Sequence, residues 1–316
     1  MGIPLASVLL LTCNGADTLP GVLSAVRAQH AAAPIEVVAV DSGSHDGTTA
    51  LLRERVDRLI EIPRAEFNHG ATRNLGIEAC RGSLVVLLAQ DAEPASTSWL
   101  ARLTAPLAEP GPLAGTYARQ LPRHSASAVT RAYLARYAAT SETPRLQFLD
   151  GSASLESMTP AGRLAACTFD NVCSCIRRSA WQEHPFPAVP IAEDVAWAKS
   201  VLLAEYRLAY VPDAAVIHSH DRPAGYELRR TYLIHQQLRR LFGLATIPTR
   251  LHLARAVGSS LLAHSRWTLG DSARTAGARV AQLPRALALG IAMPLGQYLG
   301  AKSADAGREL LHAEGV

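Results

Sequence analysis

Short apolar runs that end in polar residues alternate with helical patterns through the first third of this 316-residue chain. The apolar runs cover residues 6–12, 35–40, 59–62 and 83–89, and the helical patterns cover 19–29, 47–56 and 71–79. Such alternation predicts an α/β fold with a parallel sheet that helices cover on both faces. Ligands of these sheets bind at the carboxyl ends of the strands. We therefore expect the polar residues after the strands to surround one crevice: Thr12, Asn14, Asp41 and Asp91.

The rest of the chain is less regular. Helical spacing appears at 126–140 and again from Glu193, and strand patterns appear at 171–176 and 208–218. The tail, from about residue 226, is rich in Arg, Ala and Leu with helical spacing. No internal repeat or low-complexity linker separates these parts, so the length fits one large α/β domain or one domain with a helical appendage.

Composition excludes several classes of protein. The chain has 31 basic and 27 acidic residues and is 48% apolar, which indicates neither a nucleic-acid-binding surface nor disorder. Its five cysteines are an odd number without C-x-x-C spacing, which disfavours a zinc site or a disulfide framework and favours a reducing cytoplasm. We expect neither a signal peptide nor a membrane-spanning helix, because no charged leader and no apolar run of about 20 residues is found.

The loop after the first strand, residues 12–15, lacks the G-x-G-x-x-G sequence of dinucleotide-binding folds, which argues against a dehydrogenase. Two aspartates follow the second strand pattern. Asp41 at the strand end could accept hydrogen bonds from a base or ribose, at even odds with a structural role. Asp46 is favoured as a cap of the next helix.

A polar segment at 66–74 precedes the sequence Gln90-Asp91-Ala92, which closes a buried apolar run. A guanidinium such as that of Arg73 matches phosphate geometry, and a carboxylate such as Asp91 could bind a divalent metal that bridges diphosphate oxygens. The rival interpretations are a surface salt bridge for Arg73 and a capped turn before Pro94 for Asp91. Taken together, the two segments favour an enzyme that uses nucleotide sugars.

Two further clusters could carry chemistry. Glu193 and Asp194 stand at a predicted helix start, where they could cap the helix or supply a general base. His218 and His220 leave a strand and would share one face if that strand continued, so one of them could bind a metal together with Asp91. An ordinary polar cluster at a strand end is the alternative.

Together these segments resemble the family 2 glycosyltransferases, especially the bacterial rhamnosyltransferases. The resemblance rests on residues 40–48, 67–74, 90–92, 169–174, 193–194, 216–220 and 232–240. It implies a GT-A fold, in which a Rossmann-like nucleotide half is fused to an acceptor half in one mixed sheet. The implied division is a catalytic domain over residues 1–225 and a helical C-terminal region over 226–316.

The resemblance also implies roles for individual residues. Asp194 would be the catalytic base, and Asp91 would hold Mg²⁺ or Mn²⁺ from a Q-D-A version of the D-x-D motif. His218 would be the further metal ligand, with His220 as second choice. Residues of the nucleotide and donor site would be Thr12, Asn14, Asp41, His69, Arg73, Asn74 and Gln90. Residues of the acceptor or sugar pocket would be Asn171, Glu193 and Trp197.

The implied activity is inverting transfer of a sugar, with dTDP-L-rhamnose as first choice of donor, to a polysaccharide or a lipid-linked glycan. The alternatives are a UDP- or GDP-sugar donor, and a non-catalytic scaffold that binds nucleotide sugars. The expected location is the cytoplasm or the inner face of the cytoplasmic membrane. Apolar residues at 283–299, with arginines before them, could form a membrane-surface contact, a dimer contact or an internally packed helix.

Overall fold

The computed structural model describes residues 6–30, 34–149 and 154–311. The strands of the described residues are β1 (Ala6–Thr12), β2 (Glu36–Asp41), β3 (Arg58–Glu61), β4 (Leu84–Ala89), β5 (Glu93–Pro94), β6 (Leu113–Leu121), β7 (Arg145–Gln147), β8 (Cys173–Arg177) and β9 (Arg207–Ile217). The α-helices are α1 (Leu19–Arg27), α2 (Thr48–Arg55), α3 (His69–Ala79), α4 (Trp99–Thr104), α5 (Ala128–Leu134), α6 (Pro160–Ala166), α7 (Arg178–Glu183), α8 (Glu193–Leu203), α9 (Ala224–Phe242), α10 (Arg250–Leu269) and α11 (Ala276–Ala306).

All strands join one mixed sheet in the order β3-β2-β1-β4-β8-β6-β9-β5, and β7 pairs with β9. The first four strands along the chain pair with one another in parallel, as their alternation with helices predicts. β8 then enters antiparallel to both β4 and β6. The fully parallel sheet is therefore correct for β1 to β4, and the mixed sheet implied by the family resemblance describes the whole.

The core lies around β1, β2 and β4, which are buried almost throughout and consist mainly of Val, Leu and Ala. Their continuous apolar character is typical of strands covered on both faces. β6 was not predicted, because polar residues interrupt its pattern. Its buried Thr116 donates a hydrogen bond to the carbonyl of Leu103 at 2.7 Å, which satisfies a polar side chain inside the sheet. The helix predicted at 126–140 is shorter in the structure, as α5 followed by a 3₁₀ turn over Ala138–Thr140.

The chain divides into two compact units. The first comprises Met1–Leu121, Tyr137–Leu155 and Ala166–His218, and contains the sheet. The second comprises Pro122–Arg136, Glu156–Ala165 and Ser219–Val316, and is helical in its described residues. The division after residue 225 that the sequence suggests remains a proposal.

Helices α9, α10 and α11 form most of the second unit. Gly296 and Gly300 of α11 lie so close to α9 that a Cβ at either position would collide with α9 backbone atoms. The hydroxyls of Tyr232 and Ser303 also join these two helices, at 2.7 Å. Much of the 283–299 stretch packs inside this unit, since Leu289 is buried and Ile291 is the one large apolar side chain there that is exposed among the described residues. No helix of the described chain has both the length and the apolar character needed to cross a bilayer.

Candidate active site

Two loops at the carboxyl ends of β1 and β2 are held together by short polar side chains. Asp41 is buried and accepts hydrogen bonds from the Thr12 hydroxyl at 2.9 Å and from the Ser44 hydroxyl at 2.6 Å. Asn14 has a positive φ of 49° and receives the amide of His45 on its side-chain oxygen at 3.0 Å. These three predicted donor-site residues thus lie together at one edge of the sheet, where they fix the loop geometry.

Gln90 fastens the end of β4 to the first loop. Its amide nitrogen donates to the carbonyl of Cys13 at 3.0 Å, while its amide oxygen accepts from the Cys13 N–H at 2.9 Å. The side chain therefore pairs with the backbone of Cys13 as a neighbouring strand would. This pairing places the loop of Asn14 beside Asp91, the next residue along the chain.

Asp91 faces His218, with 3.5 Å between Asp91 Oδ1 and His218 Nε2. The other imidazole nitrogen, Nδ1, lies 2.9 Å from the side-chain oxygen of Gln120, whose amide nitrogen donates to buried Asp170. Because that carboxylate fixes the amide orientation, Gln120 presents an acceptor to Nδ1, which must then carry the proton. When the ring is neutral, the lone pair is on Nε2, the atom that faces the Asp91 carboxylate.

This geometry fits a divalent cation. With the ring neutral, a carboxylate oxygen and an imidazole nitrogen, both acceptors, face each other at a strand end, and a positive charge between them would satisfy both. The hydrogen bond from Nδ1 to Gln120 is the kind of outer contact that orients a ligating histidine. His220 follows by two residues, in the second unit, where its carbonyl accepts a hydrogen bond from Thr130 at 3.2 Å. Its role as a ligand remains a prediction.

The segment 67–74 forms the start of α3 and supports the loop that leads to α8. Asn68 caps α3 through the amides of Gly70 and Ala71 and donates to the carbonyl of Val189 at 3.2 Å. Asn74 binds both the N–H and the carbonyl of Phe186, at 3.0 and 2.8 Å. A Cβ on Gly70 would overlap the carbonyl oxygen of Pro187, so only glycine allows this approach. The amides therefore hold the 186–189 loop.

Arg73, which was predicted to bind the donor, forms an ion pair with Glu193 at 3.0 Å, and both side chains are almost wholly buried. Asn171 adds a hydrogen bond to the same carboxylate at 3.2 Å. Burial by itself would raise the pKa of Glu193, but the charges of Arg73 and His69 and the Asn171 amide hold it below the ordinary value. Glu193 is therefore a fixed negative charge. His69 is half-buried and packs edge-on against Phe67.

The pKa of Asp194 is shifted in the opposite direction from that of Glu193. Burial, followed by the negative charges of Glu193 and Asp170, raises the pKa of Asp194 well above that of an ordinary carboxyl. One of its oxygens accepts the N–H of Val195 at 2.8 Å. Two adjacent carboxylates whose environments separate their pKa values are a common arrangement for acid–base chemistry. Glu193 is thus the ion-paired carboxylate, and Asp194 is the carboxyl with the higher pKa.

Trp197 lies beneath this acid pair and is fully buried. Its ring stacks on Phe186 with centroids 5.2 Å apart, and its indole N–H donates to the carbonyl of His184 at 2.7 Å. In this structure the ring belongs to the core under α8, and contact with a sugar would require it to become exposed.

Two residues of this polar cluster were not singled out from the sequence. Asp170 stands beside Asn171 in a segment that carries the family resemblance. A carboxylate in that segment could have been recognised as a candidate. Gln120 gave no signal, because the strand that positions it, β6, was not predicted. Together they connect His218 to the surroundings of Asp194.

Comparison with known proteins identifies relatives of this chain. The model of the family "Glycosyl transferase family 2" matches residues 7–162. The O-antigen chain rhamnosyltransferase RfbN of Salmonella typhimurium (strain LT2) is 28% identical over 230 residues, which are 72% of this chain and 70% of RfbN. The O-antigen chain rhamnosyltransferase WbaN of Salmonella anatum is 31% identical over 205 residues, 63% of this chain and 61% of WbaN, which is less than two thirds of that protein.

A solved structure shares the fold. The mannosyltransferase PcManGT from Pyrobaculum calidifontis, in complex with GDP-Man and Mn²⁺, superposes with a TM-score of 0.59 at 19% identity, over 97% of this chain and 88% of PcManGT. That likeness, together with the mixed sheet and the helical C-terminal region, confirms the GT-A fold that the sequence implied. The chain thus contains a glycosyltransferase family 2 domain.

Proposed function

We propose that the protein is an inverting rhamnosyltransferase that moves L-rhamnose from dTDP-L-rhamnose onto a polysaccharide or a lipid-linked glycan. The observation that carries the proposal is the arrangement of Asp91 and His218 at the end of β4 and Asp194 at the start of α8, connected through Gln120 and Asp170. The choice of donor is supported by the names of the relatives, since RfbN and WbaN are both rhamnosyltransferases.

In the proposed reaction Asp194 takes the proton of an acceptor hydroxyl. The acceptor oxygen then bonds to the anomeric carbon as the bond from that carbon to the diphosphate oxygen breaks, so the configuration inverts. A raised pKa suits this role, because the carboxylate must be basic enough to accept a proton near neutral pH. Glu193, paired with Arg73, keeps a negative charge beside the base.

Asp91 and His218 would hold Mg²⁺ or Mn²⁺, and an imidazole ligand favours Mn²⁺. When bound, the ion supplies positive charge for the leaving diphosphate. We retain Asn14 and His69 as candidate donor contacts. We assign Thr12, Asp41, Asn74 and Gln90 first to holding the loops, because their side chains make the hydrogen bonds described above.

We place the protein in the cytoplasm, at the inner face of the cytoplasmic membrane if its acceptor is lipid-linked. All five cysteines are free, which fits a reducing compartment. Each one except Cys13 is buried.

Thermal shift with a panel of donors tests the donor and the metal together. dTDP-rhamnose, UDP-glucose, UDP-galactose, GDP-mannose and NAD⁺ are each added with and without Mn²⁺, since a ligand of the native state raises its stability by mass action. We expect a Mn²⁺-dependent rise with dTDP-rhamnose. A rise with a UDP or GDP sugar instead would keep the family and change the donor.

Asp194→Asn distinguishes an enzyme from a binding scaffold. The variant should bind the donor with nearly unchanged affinity but lose transfer, because an amide cannot accept the hydroxyl proton. We also expect the wild-type protein to hydrolyse the donor slowly, and this hydrolysis should be absent in the variant. Retained turnover would remove Asp194 from the role of base, and absence of hydrolysis and transfer in the wild-type protein would favour the scaffold.

A further inference from the structure

Charge is distributed very unevenly along this chain. Residues 228–304 contain eleven arginines and lysines but a single acidic residue, Asp271. That carboxylate lies 2.7 Å from Arg131 and 3.4 Å from Arg274, inside the second unit. Other arginines of the segment pair with acidic residues outside it, but basic groups still outnumber acidic ones on these helices, which suits an anionic partner.

Helix α10 combines this charge with exposed apolar side chains. Leu251, Leu262 and Leu269 are 58%, 53% and 45% exposed. Arg255 and Arg266 are exposed as well, and neither forms an ion pair with any other part of the chain that the structure describes. At 100° per residue these five positions fall within about 60° of one another, so they form one stripe along the helix. We call this set the α10 stripe.

The neighbouring helix adds to the apolar surface of the second unit. Val280 and Ile291 of α11 are 61% and 48% exposed. Five of the large apolar side chains that the described chain exposes thus lie on α10 and α11. Single exposed leucines need no explanation, but a row of them interleaved with arginines is typical of a docking surface.

We infer that the α10 stripe docks on a membrane surface that contains anionic lipids. Helices that lie in the interface carry leucines that enter the acyl boundary and arginines that contact lipid headgroups. The leucines at the two ends of the stripe are 18 residues, about 27 Å, apart, so the helix could lie flat along a bilayer. The inference is independent of the donor and of Asp194, although it would bring the enzyme to a lipid-linked acceptor.

Two other partners fit the stripe less well. A nucleic acid would use the arginines but would leave three exposed leucines without a partner. A second copy of this chain, related by a two-fold axis, would bring arginines of like charge together in an interface whose centre normally lacks charge. An anionic bilayer satisfies both types of side chain at once.

Co-sedimentation of the full chain with lipid vesicles tests the inference without any sugar substrate. One set of vesicles is phosphatidylcholine alone, and the other contains phosphatidylglycerol as well. We expect the wild-type protein to sediment with the anionic vesicles only, and salt should weaken the binding. The double variant Arg255→Gln/Arg266→Gln should weaken binding roughly thirtyfold, because each arginine near an anionic surface contributes about 1 kcal/mol.

Leu251→Ser/Leu262→Ser/Leu269→Ser keeps the charge and should also reduce binding. Matched controls in the first unit are Leu146→Ser, at a leucine that is 53% exposed, and Arg53→Gln, at an arginine whose side chain is 60% exposed. Both controls should bind as the wild-type protein does, and melting temperatures verify that every variant folds.

Equal sedimentation of the wild-type protein and both stripe variants would overturn the inference, as would failure of the wild-type protein to bind anionic vesicles. Light scattering without vesicles tests whether a second copy of the chain binds the stripe. If the wild-type protein is a dimer and the triple leucine variant is a monomer, the stripe is a dimer contact. None of these outcomes depends on whether the donor proposal is right.

Discussion

Gln90 shows how one side chain explains a departure from a family motif. Where a D-x-D motif would begin with a carboxylate, this residue both donates to and accepts from the backbone of Cys13. An aspartate has no donor when ionised and is one methylene shorter, so it could not form both bonds. Gln90 therefore anchors the first loop. Of Gln90 and Asp91, it is Asp91 that faces His218.

Gln90→Glu should destabilise the protein by about 1–3 kcal/mol, because a carboxylate oxygen would face the Cys13 carbonyl where an amide N–H now donates. Urea unfolding at neutral pH measures the change. The same substitution at the exposed Gln182 should change the free energy of unfolding by less than about 0.5 kcal/mol. Equal effects at both positions would contradict the role of Gln90.

Arg73→Met should cost about 3–5 kcal/mol at neutral pH, because it leaves the Glu193 carboxylate buried without its cation. With Arg73 present, the folded-state pKa of Glu193 is lowered, so the pair stabilises the protein above the unfolded-state pKa and loses this effect as pH falls through the folded-state value. Without Arg73, burial raises that pKa. The difference between variant and wild type should therefore shrink as pH is lowered and Glu193 becomes protonated.

Urea unfolding across a pH series checks this prediction. Arg53→Met breaks the exposed pair with Glu61 and should cost less than about 1 kcal/mol at every pH. Adding Glu193→Gln to Arg73→Met should recover part of the lost stability. A cost for Arg73→Met that does not vary with pH would show that packing, rather than charge, is lost.

The pH dependence of transfer should report the charge beside Asp194. A base acts when deprotonated, so kcat/KM should rise with pH through a pKa that burial, Glu193 and Asp170 hold above the ordinary carboxyl range. Glu193→Gln removes one negative neighbour and should move this rise to lower pH. An unchanged profile in that variant would argue that another group is the base.

At the scale of whole elements, the start of α3 leaves no room for a side chain at Gly70. Gly70 meets the carbonyl of Pro187, which belongs to the loop held by Asn68 and Asn74. Gly70→Ala should destabilise the protein by about 1–3 kcal/mol and reduce transfer, since the loop that leads to Glu193 must move. Measurements of melting and of transfer together check this.

Gly258→Ala in α10 is the matched control, because a Cβ there meets nothing within 4 Å. It should leave transfer unchanged and stabilise the protein by up to about 1 kcal/mol, the usual gain in helix propensity. Similar losses for the two alanines would mean that helix position, and not the Pro187 contact, sets the cost.

Elements with a regular pattern could be predicted from the sequence, and elements whose stability depends on distant partners could not. β1 and β4 are continuous apolar runs, so their positions follow from composition. β6 carries Thr116, Arg119 and Gln120, whose polar atoms find partners in other segments. The same reason limits the site: Asp91, Asp194 and His218 were candidates by residue type, whereas the positions of Gln120 and Arg73 follow from the tertiary structure.

For the whole molecule, the helical unit should depend on its last long helix. Tyr232 and Gln236 of α9 both contact Ser303 of α11, and glycines allow the two backbones to meet. A chain that ends at residue 272, before α11, would expose this face of α9. We expect that chain to aggregate or to lose cooperative unfolding, whereas one ending at residue 311 should melt as the full chain does. Analytical ultracentrifugation and calorimetry distinguish these outcomes, and equal melting of the two shortened chains would contradict the prediction.

The hydrogen bond between Gln120 and Asp170 has a consequence for how such a protein can diverge. Gln120 lies at the end of β6 and Asp170 lies just before β8, so the two ends of the long connection between these paired strands meet at one polar contact. Within that connection β7 pairs with β9, but substitutions, insertions and deletions outside β7 need not move either end. A lineage could thus change the surface that this connection presents, while Gln120 and Asp170 keep their contacts with His218 and with each other.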